Sequence, residues 1–248
     1  CLIAKPLAPS VEDCQALVDC AKVNNTVLQV GHTERVNPAF RAVEVLNFKA
    51  RSMQAERVSP MTFRSMDVGV VMDMMIHDLD IVLKLAGSPI KSVDATGVAV
   101  LGDQEDIASA RIIFENGCVA NITTSRMALN TERRLRVFSE SGFINLDYGS
   151  RDGIVVYTDG DNREAMMKAR EQLAAGQDLS DLKYLDMVKT QPLSFDLPEG
   201  EGDQLTAEQN NFLRAVRDGG TPAVDGEAGL AAVDAAQRVV RAIREHTW

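Results

Sequence analysis

The chain has 248 residues, enough to bury a full core in one large domain or one and a half ordinary ones. With 36 acidic against 26 basic side chains its net charge is −10, which excludes a general nucleic-acid binder, since such a protein needs dense positive charge to displace counterions. No apolar run reaches the length that spans a bilayer, and the opening CLIAKPLAPS lacks the basic start, long apolar centre and small-residue cleavage site of a signal peptide, so residence in the cytoplasm is expected.

In chain order, CLIA is a short strand ended by Lys5-Pro6. Ser10 then has the position of a helix N-cap, with Val11, Cys14, Leu17, Val18 and Ala21 at helical spacing behind it. The run TVLQVG is an apolar strand closed by Gly31. A β-α-β unit with a continuous apolar second strand implies a parallel sheet. One such unit cannot complete a doubly wound domain, so residues 1–34 read as the C-terminal remnant of a dinucleotide-binding Rossmann domain.

Residues 35–248 read as an α+β domain. A helix begins near Asn37 with Pro38 in its first turn, SMQAERVSP is a strand, and residues 70–86 form a helix closed by Gly87 and Pro89. Six β candidates follow, from SVDATGVAVL to IVVYT, several alternating in period two, with ENG a hairpin turn between two of them. They imply a mostly antiparallel open sheet flanked by helices. Beyond it come a polar surface helix over 162–175, a loop or lid over 176–190, and helices over 206–218 and 227–245. Cys1, Cys14, Cys20 and Cys118 have no metal-ligand spacing and read as buried free thiols in a reducing compartment.

The stretch MDMMIHDLDIVLKL raises the chemical question. On an α-helix Asp73, His77, Asp80 and Lys84 share one narrow stripe, with Asp78 off it, and apolar side chains cover the rest. A carboxylate one turn from an imidazole can orient it and raise its basicity, making a general base. A metal site of Asp73, His77 and His32 is a second reading. A wet helix face in which Lys84 pairs with Asp80 is a third. Lys5 at the end of a strand, and His32, Arg35 and Asn37 in the loop after the next one, fall at the carboxyl edge of the parallel unit, where α/β proteins bind ligands. Arg126, Arg133, Arg134 and Arg136 could grip a phosphate, although a solvated sheet face accounts for at least half of them. No Walker loop, nucleophile elbow or G-x-G-x-x-G after a strand is present.

Lys5-Pro6-Leu7, VGHTERVNPAF, the Asp73-x-x-x-His77 pair within VVMDMMIHDLDIVLKLAG, and ENG before a strand resemble the Gfo/Idh/MocA family of NAD(P)-dependent sugar oxidoreductases over essentially the whole chain. GHTERVNP with DVGVVMDMMIHDLD is similar to its UDP-N-acetylglucosamine 3-dehydrogenase branch. The resemblance implies that Lys5 lies beside the nicotinamide and the reacting hydroxyl, that His77 takes the hydroxyl proton, and that Asp73 orients it. It implies cofactor contacts from Lys5, Pro6 and His32, substrate contacts from Arg35, Asn37 and Asp80, NAD or NADP as cofactor, and a sugar or nucleotide-sugar substrate. Ala4 departs from the family's Glu-Lys-Pro pattern, and the Gly-rich turn that cradles a pyrophosphate is absent, so weak NADH binding by these residues is expected. The rival readings are a non-catalytic sugar-binding or dimer-scaffold protein of the same fold and a metal-dependent hydrolase or lyase. The open sheet leads us to expect a homodimer or homotetramer.

Overall fold

The computed structural model describes every residue except 47, 63–66, 159, 184–187, 195–202 and 248. Strands β1 (Leu2–Ala4) and β2 (Gln29–Gly31) pair in parallel and are joined by helix α1 (Val11–Val23). Ser10 caps α1 as its position implied, its hydroxyl accepting from the Asp13 N–H. β2 is shorter than the apolar run TVLQVG, and on its far side the Val30 N–H donates to the Val224 carbonyl.

Eight strands form the main sheet: β3 (Ser52–Val58), β4 (Ile90–Val98), β5 (Ile107–Phe114), β6 (Val119–Ser125), β7 (Glu132–Ser139), β8 (Gly142–Asp147), β9 (Asp152–Tyr157) and β10 (Lys189–Ser194). Their order is β10-β9-β8-β7-β3-β6-β5-β4, antiparallel throughout except where β3 runs parallel to β6. The six β candidates all form. Sequence order hides one feature, the insertion of β3 between β6 and β7 at the centre. β10 is a further strand where a loop was expected to run to residue 190, and it lies at the edge, where Pro192 costs the sheet no central hydrogen bond. Residues 184–187 of that expected lid lie outside the described residues.

Period-two alternation puts Met53, Ala55, Ile112, Phe114, Ile122, Leu135 and Ile144 on the covered face, all buried. Helices α3 (Ile76–Ala86) and α6 (Gly226–Glu245) lie on this side, α6 packing on α1, α3 and β4 and so joining the β-α-β unit to the sheet. Gly229 permits that approach, since a Cβ there would stand 2.5 Å from Val30 Cγ2. Helix α2 (Pro38–Val45) follows a 3-10 turn at Thr33–Val36. Helix α4 (Gly160–Ala174) buries no residue, as its polar pattern implied, and α5 (Gln204–Asp218) packs on the 3-10 turn. The uncovered sheet face displays Gln54, Glu56, Ser109, Arg111, Asn121 and Thr123. The alternation in IASARIIF and CVANITTS therefore sends most of its small and apolar groups to the helix side and leaves a largely polar face open.

The greasy stretch is not one regular helix. Residues Val71–Met75 form a π turn, and the α-helical geometry of α3 begins only at Ile76, ending at Gly87 in the left-handed region. Asp73 sits on the widened turn, so the ideal stripe does not survive.

Candidate active site

Each carboxylate of the stretch is claimed by a cation from a different element. Lys5, just after β1, donates from Nζ to Asp73 Oδ1 at 2.9 Å and also to the Asp73 carbonyl oxygen. Arg57, on β3, donates from Nε and Nη2 to the two oxygens of Asp78 at 2.7 and 3.0 Å. Arg35, in the 3-10 turn, grips Asp80 in the same forked way at 2.7 and 2.9 Å. Lys84 reaches Glu44 at 3.4 Å, not Asp80, so the wet-face reading fails.

His77 is left with no carboxylate. It faces the cleft from the first turn of α3, while its Nδ1 is buried without a hydrogen-bond partner and its ring stands edge-on to His32, 5.8 Å between centroids. Burial lowers its proton affinity well below the ordinary imidazole value, and the charges of Arg57 and Lys5, then His32 and Arg133, push the same way. The expected Asp73–His77 dyad is thus corrected: Asp73 holds Lys5, and His77 is a neutral imidazole whose basicity the surroundings reduce. His32, 1 % exposed, has both ring nitrogens unpartnered, and burial lowers its pKa as well.

The residues expected to hold substrate divide. Arg35 and Asp80 are buried and directed at each other behind the cleft. Asn37 caps α2, its Oδ1 accepting from the Ala39 N–H while its Nδ2 donates to Glu34. The assignment of Arg35, Asn37 and Asp80 to substrate is corrected, because all three side chains are engaged in the protein interior. Glu34, Arg57 and Asp78, which the sequence reading passed over, form with Asn37 a buried network beneath the cleft, with Glu34 3.2 Å from Arg57. Burial opposes the Arg57 charge, but Asp78 and Glu34 outweigh it and raise its pKa above the usual guanidinium range.

The cleft itself, about 240 Å³, opens at the carboxyl ends of β3 and β6 and the start of β7, lined by Lys5, Arg57, Ser59, Thr62, Asp73, His77, Arg126 and Arg133 among others. A larger cavity of about 610 Å³ lies between α1, α5 and α6, but there Lys22 pairs with Glu227 and Asp225 caps α6, which leaves little free chemistry. Among the described residues no three His, Cys, Asp or Glu side chains converge as metal ligands, and Asp73 is held by Lys5.

Residues 43–145 match the GFO/IDH/MocA C-terminal domain. The chain is 32% identical to a UDP-N-acetylglucosamine 3-dehydrogenase of Acidithiobacillus ferrooxidans over 96% of its length and 69% of the relative's. It is 26% identical to a myo-inositol 2-dehydrogenase of Thermotoga maritima, covering 92% of this chain and 66% of that one. A solved structure of the Acidithiobacillus ferrooxidans dehydrogenase superposes with a TM-score of 0.83 at 31% identity, covering 98% of this chain and 71% of the other. Levoglucosan dehydrogenase in complex with NADH and levoglucosan shares the fold, with a TM-score of 0.76 at 19% identity, covering 100% of this chain and 72% of that one.

Proposed function

The chain belongs to the Gfo/Idh/MocA family of oxidoreductases, and on that premise we propose that it carries the substrate site and proton acceptor of a nicotinamide-dependent dehydrogenase acting on a nucleotide-sugar hydroxyl, of the UDP-N-acetylglucosamine 3-dehydrogenase type. One observation carries the reading: the three carboxylates around His77 are each bound to a cation, so among the described residues that line the cleft it is the His77 imidazole that is left to take a proton beside Lys5. Residues 1–34 are assigned to the cofactor domain and 35–248 to the substrate domain. Residence in the cytoplasm fits its four free thiols, of which Cys14 and Cys118 are buried as expected, while the expected burial of Cys1 and Cys20 is corrected, since both are exposed.

The carboxyl edge of β1 and β2 suits the nicotinamide end of NAD or NADP. Gly31 keeps the two strands and Glu208 close, as a Cβ there would stand 3.3 Å from Ala4 Cα and 3.5 Å from the Glu208 carboxyl, and His32 offers two unbonded nitrogens nearby. Lys5, Pro6 and His32 would lie against that group, which when bound accepts the hydride. Lys5, fixed by Asp73, holds the reacting oxygen through a charge-assisted hydrogen bond. The neutral His77 ring accepts the hydroxyl proton in the same step.

The test, made on protein that carries the complete cofactor domain, is absorbance of reduced nicotinamide with UDP-N-acetylglucosamine, free N-acetylglucosamine and myo-inositol as alternative substrates. Reduction fastest with the nucleotide sugar is the expected result, and no reduction with any sugar or polyol would end the reading. We further propose a homodimer or homotetramer formed through the polar sheet face, held by hydrogen bonds across it. A purely monomeric species in light scattering at tens of micromolar would exclude that assembly.

A further inference from the structure

The cleft is lined by four cations, Lys5, Arg57, Arg126 and Arg133, against one carboxylate, Asp73, in a chain whose net charge is −10. Three of those cations are engaged. Lys5 is held by Asp73, Arg57 by Asp78 and Glu34, and Arg126 donates from Nε to Asp106 at 2.6 Å and from Nη1 to the Val68 carbonyl at 3.0 Å. Arg126 is also buried, and the buried Asp106 that holds it accepts two further backbone N–H groups, so this guanidinium is pinned as part of the wall.

Arg133 is different. It lies opposite Arg57 in the β3–β7 register, on the covered side of the sheet, but at the start of β7, where it is exposed at the cleft wall and makes no ion pair among the described residues. Arg134 and Arg136 do not share this position. Arg134 pairs with Glu132 and Asp147, and both side chains lie on the open face of the sheet. Of the four arginines that the sequence offered for a phosphate, the fold therefore leaves one whose fork is free and directed at the cleft.

We propose that Arg133 holds the phosphate of a sugar carrying a nucleoside diphosphate, and so selects charged over neutral sugars. This rests on the dehydrogenase reading for its substrate and sharpens it. A planar guanidinium presents paired N–H donors that match two phosphate oxygens, and it stays charged at every relevant pH. The reacting 3-hydroxyl and an anomeric phosphate are two ring carbons apart on one pyranose, so a cleft lined by both His77 and Arg133 can engage the two together. An anion on Arg133 would also offset one of the positive charges that lower the proton affinity of His77, alongside Arg57, Lys5 and His32.

The experiment is calorimetric titration of the purified protein with UDP, and with N-acetylglucosamine as neutral control, in the parent and in Arg133→Gln, Arg133→Lys and Arg136→Gln. Arg133→Gln is expected to weaken UDP binding about ten- to a hundredfold, as loss of a charge-assisted bidentate contact does. Arg133→Lys keeps part of the affinity, Arg136→Gln shows none of the loss, and sugar affinity and melting temperature are unchanged. Parental UDP affinity in Arg133→Gln overturns the proposal, and so does a parent protein that does not bind UDP at millimolar concentration. Reduction of nicotinamide by a neutral polyol without UDP binding would leave the dehydrogenase reading standing and remove the phosphate subsite. A UDP site dependent on Arg133 in a protein that oxidises no sugar would do the reverse.

Discussion

In protein that carries the complete cofactor domain, His77→Asn is expected to lower turnover by roughly 10²–10⁴-fold, the usual contribution of a positioned proton acceptor, while substrate affinity and melting temperature change little. The buried Nδ1 of the imidazole makes no hydrogen bond among the described residues, so its removal takes no partner from a neighbour there. Asparagine keeps much of its volume and cannot accept a proton at neutral pH. The pH profile separates this role from a structural one. Burial first, then Arg57 and Lys5, hold His77 below the ordinary value of 6.5, so the ring is already neutral at neutral pH. Activity of the parent should therefore be level from pH 8 down through 6.5 and fall only at more acid values, where His77 gains its proton. The sign for stability is the same: the unfolded chain binds a proton near 6.5 that the folded one refuses, so His77 subtracts stability as the pH drops below 6.5. Stability measured against pH should accordingly fall less steeply below that value in His77→Asn. A parent activity profile with its acid limb at or above 6.5, or a variant with near-parental turnover, would remove His77 from the chemistry.

Asp73→Asn acts elsewhere. The sequence spacing made Asp73 a partner for His77, yet the π turn and the position of Lys5 give its carboxylate to the lysine 68 residues away in the chain. No local pattern encodes that pairing. A π turn differs from an α turn by one hydrogen-bond step, which residue types alone do not specify, and Lys5 arrives through the packing of the β-α-β unit against α6. The strands were far more legible, because alternation with period two is written directly in IASARIIF and RRLRVF and survives whatever order the strands take. Their order was not legible: β3 lies between β6 and β7, which come later in the chain, and nothing in SMQAERV states its neighbours. One signal was available and passed over. Met53, Ala55 and Arg57 share a face of β3, so an arginine stood on the core side of a strand, where it requires acids to meet it.

Arg57→Met is the substitution expected to cost most stability. Arg57 and Asp78 are 5% exposed, as is Glu34, and the guanidinium bonds both carboxylates. Methionine can occupy much of the same space without a charge, so packing is largely kept and the loss is electrostatic. Two acids then remain in the interior without their cation, a situation that typically costs about 3–5 kcal/mol. The deficit should depend on pH in a defined direction. Burial already raises the pKa of Asp78 and Arg57 restrains that rise, so without the arginine the folded-state pKa climbs further above the unfolded one. A group shifted in that direction is best tolerated below its unfolded pKa and loses stability as pH rises through the folded value. Urea unfolding should therefore show a larger deficit at pH 8 than at pH 5. Arg57→Met combined with Asp78→Leu should recover part of the loss, since it removes one of the stranded carboxylates. A deficit below about 1 kcal/mol at pH 8, the range of exposed ion pairs, would mean that water reaches these carboxylates and that the network under His77 is not the dry floor its burial implies.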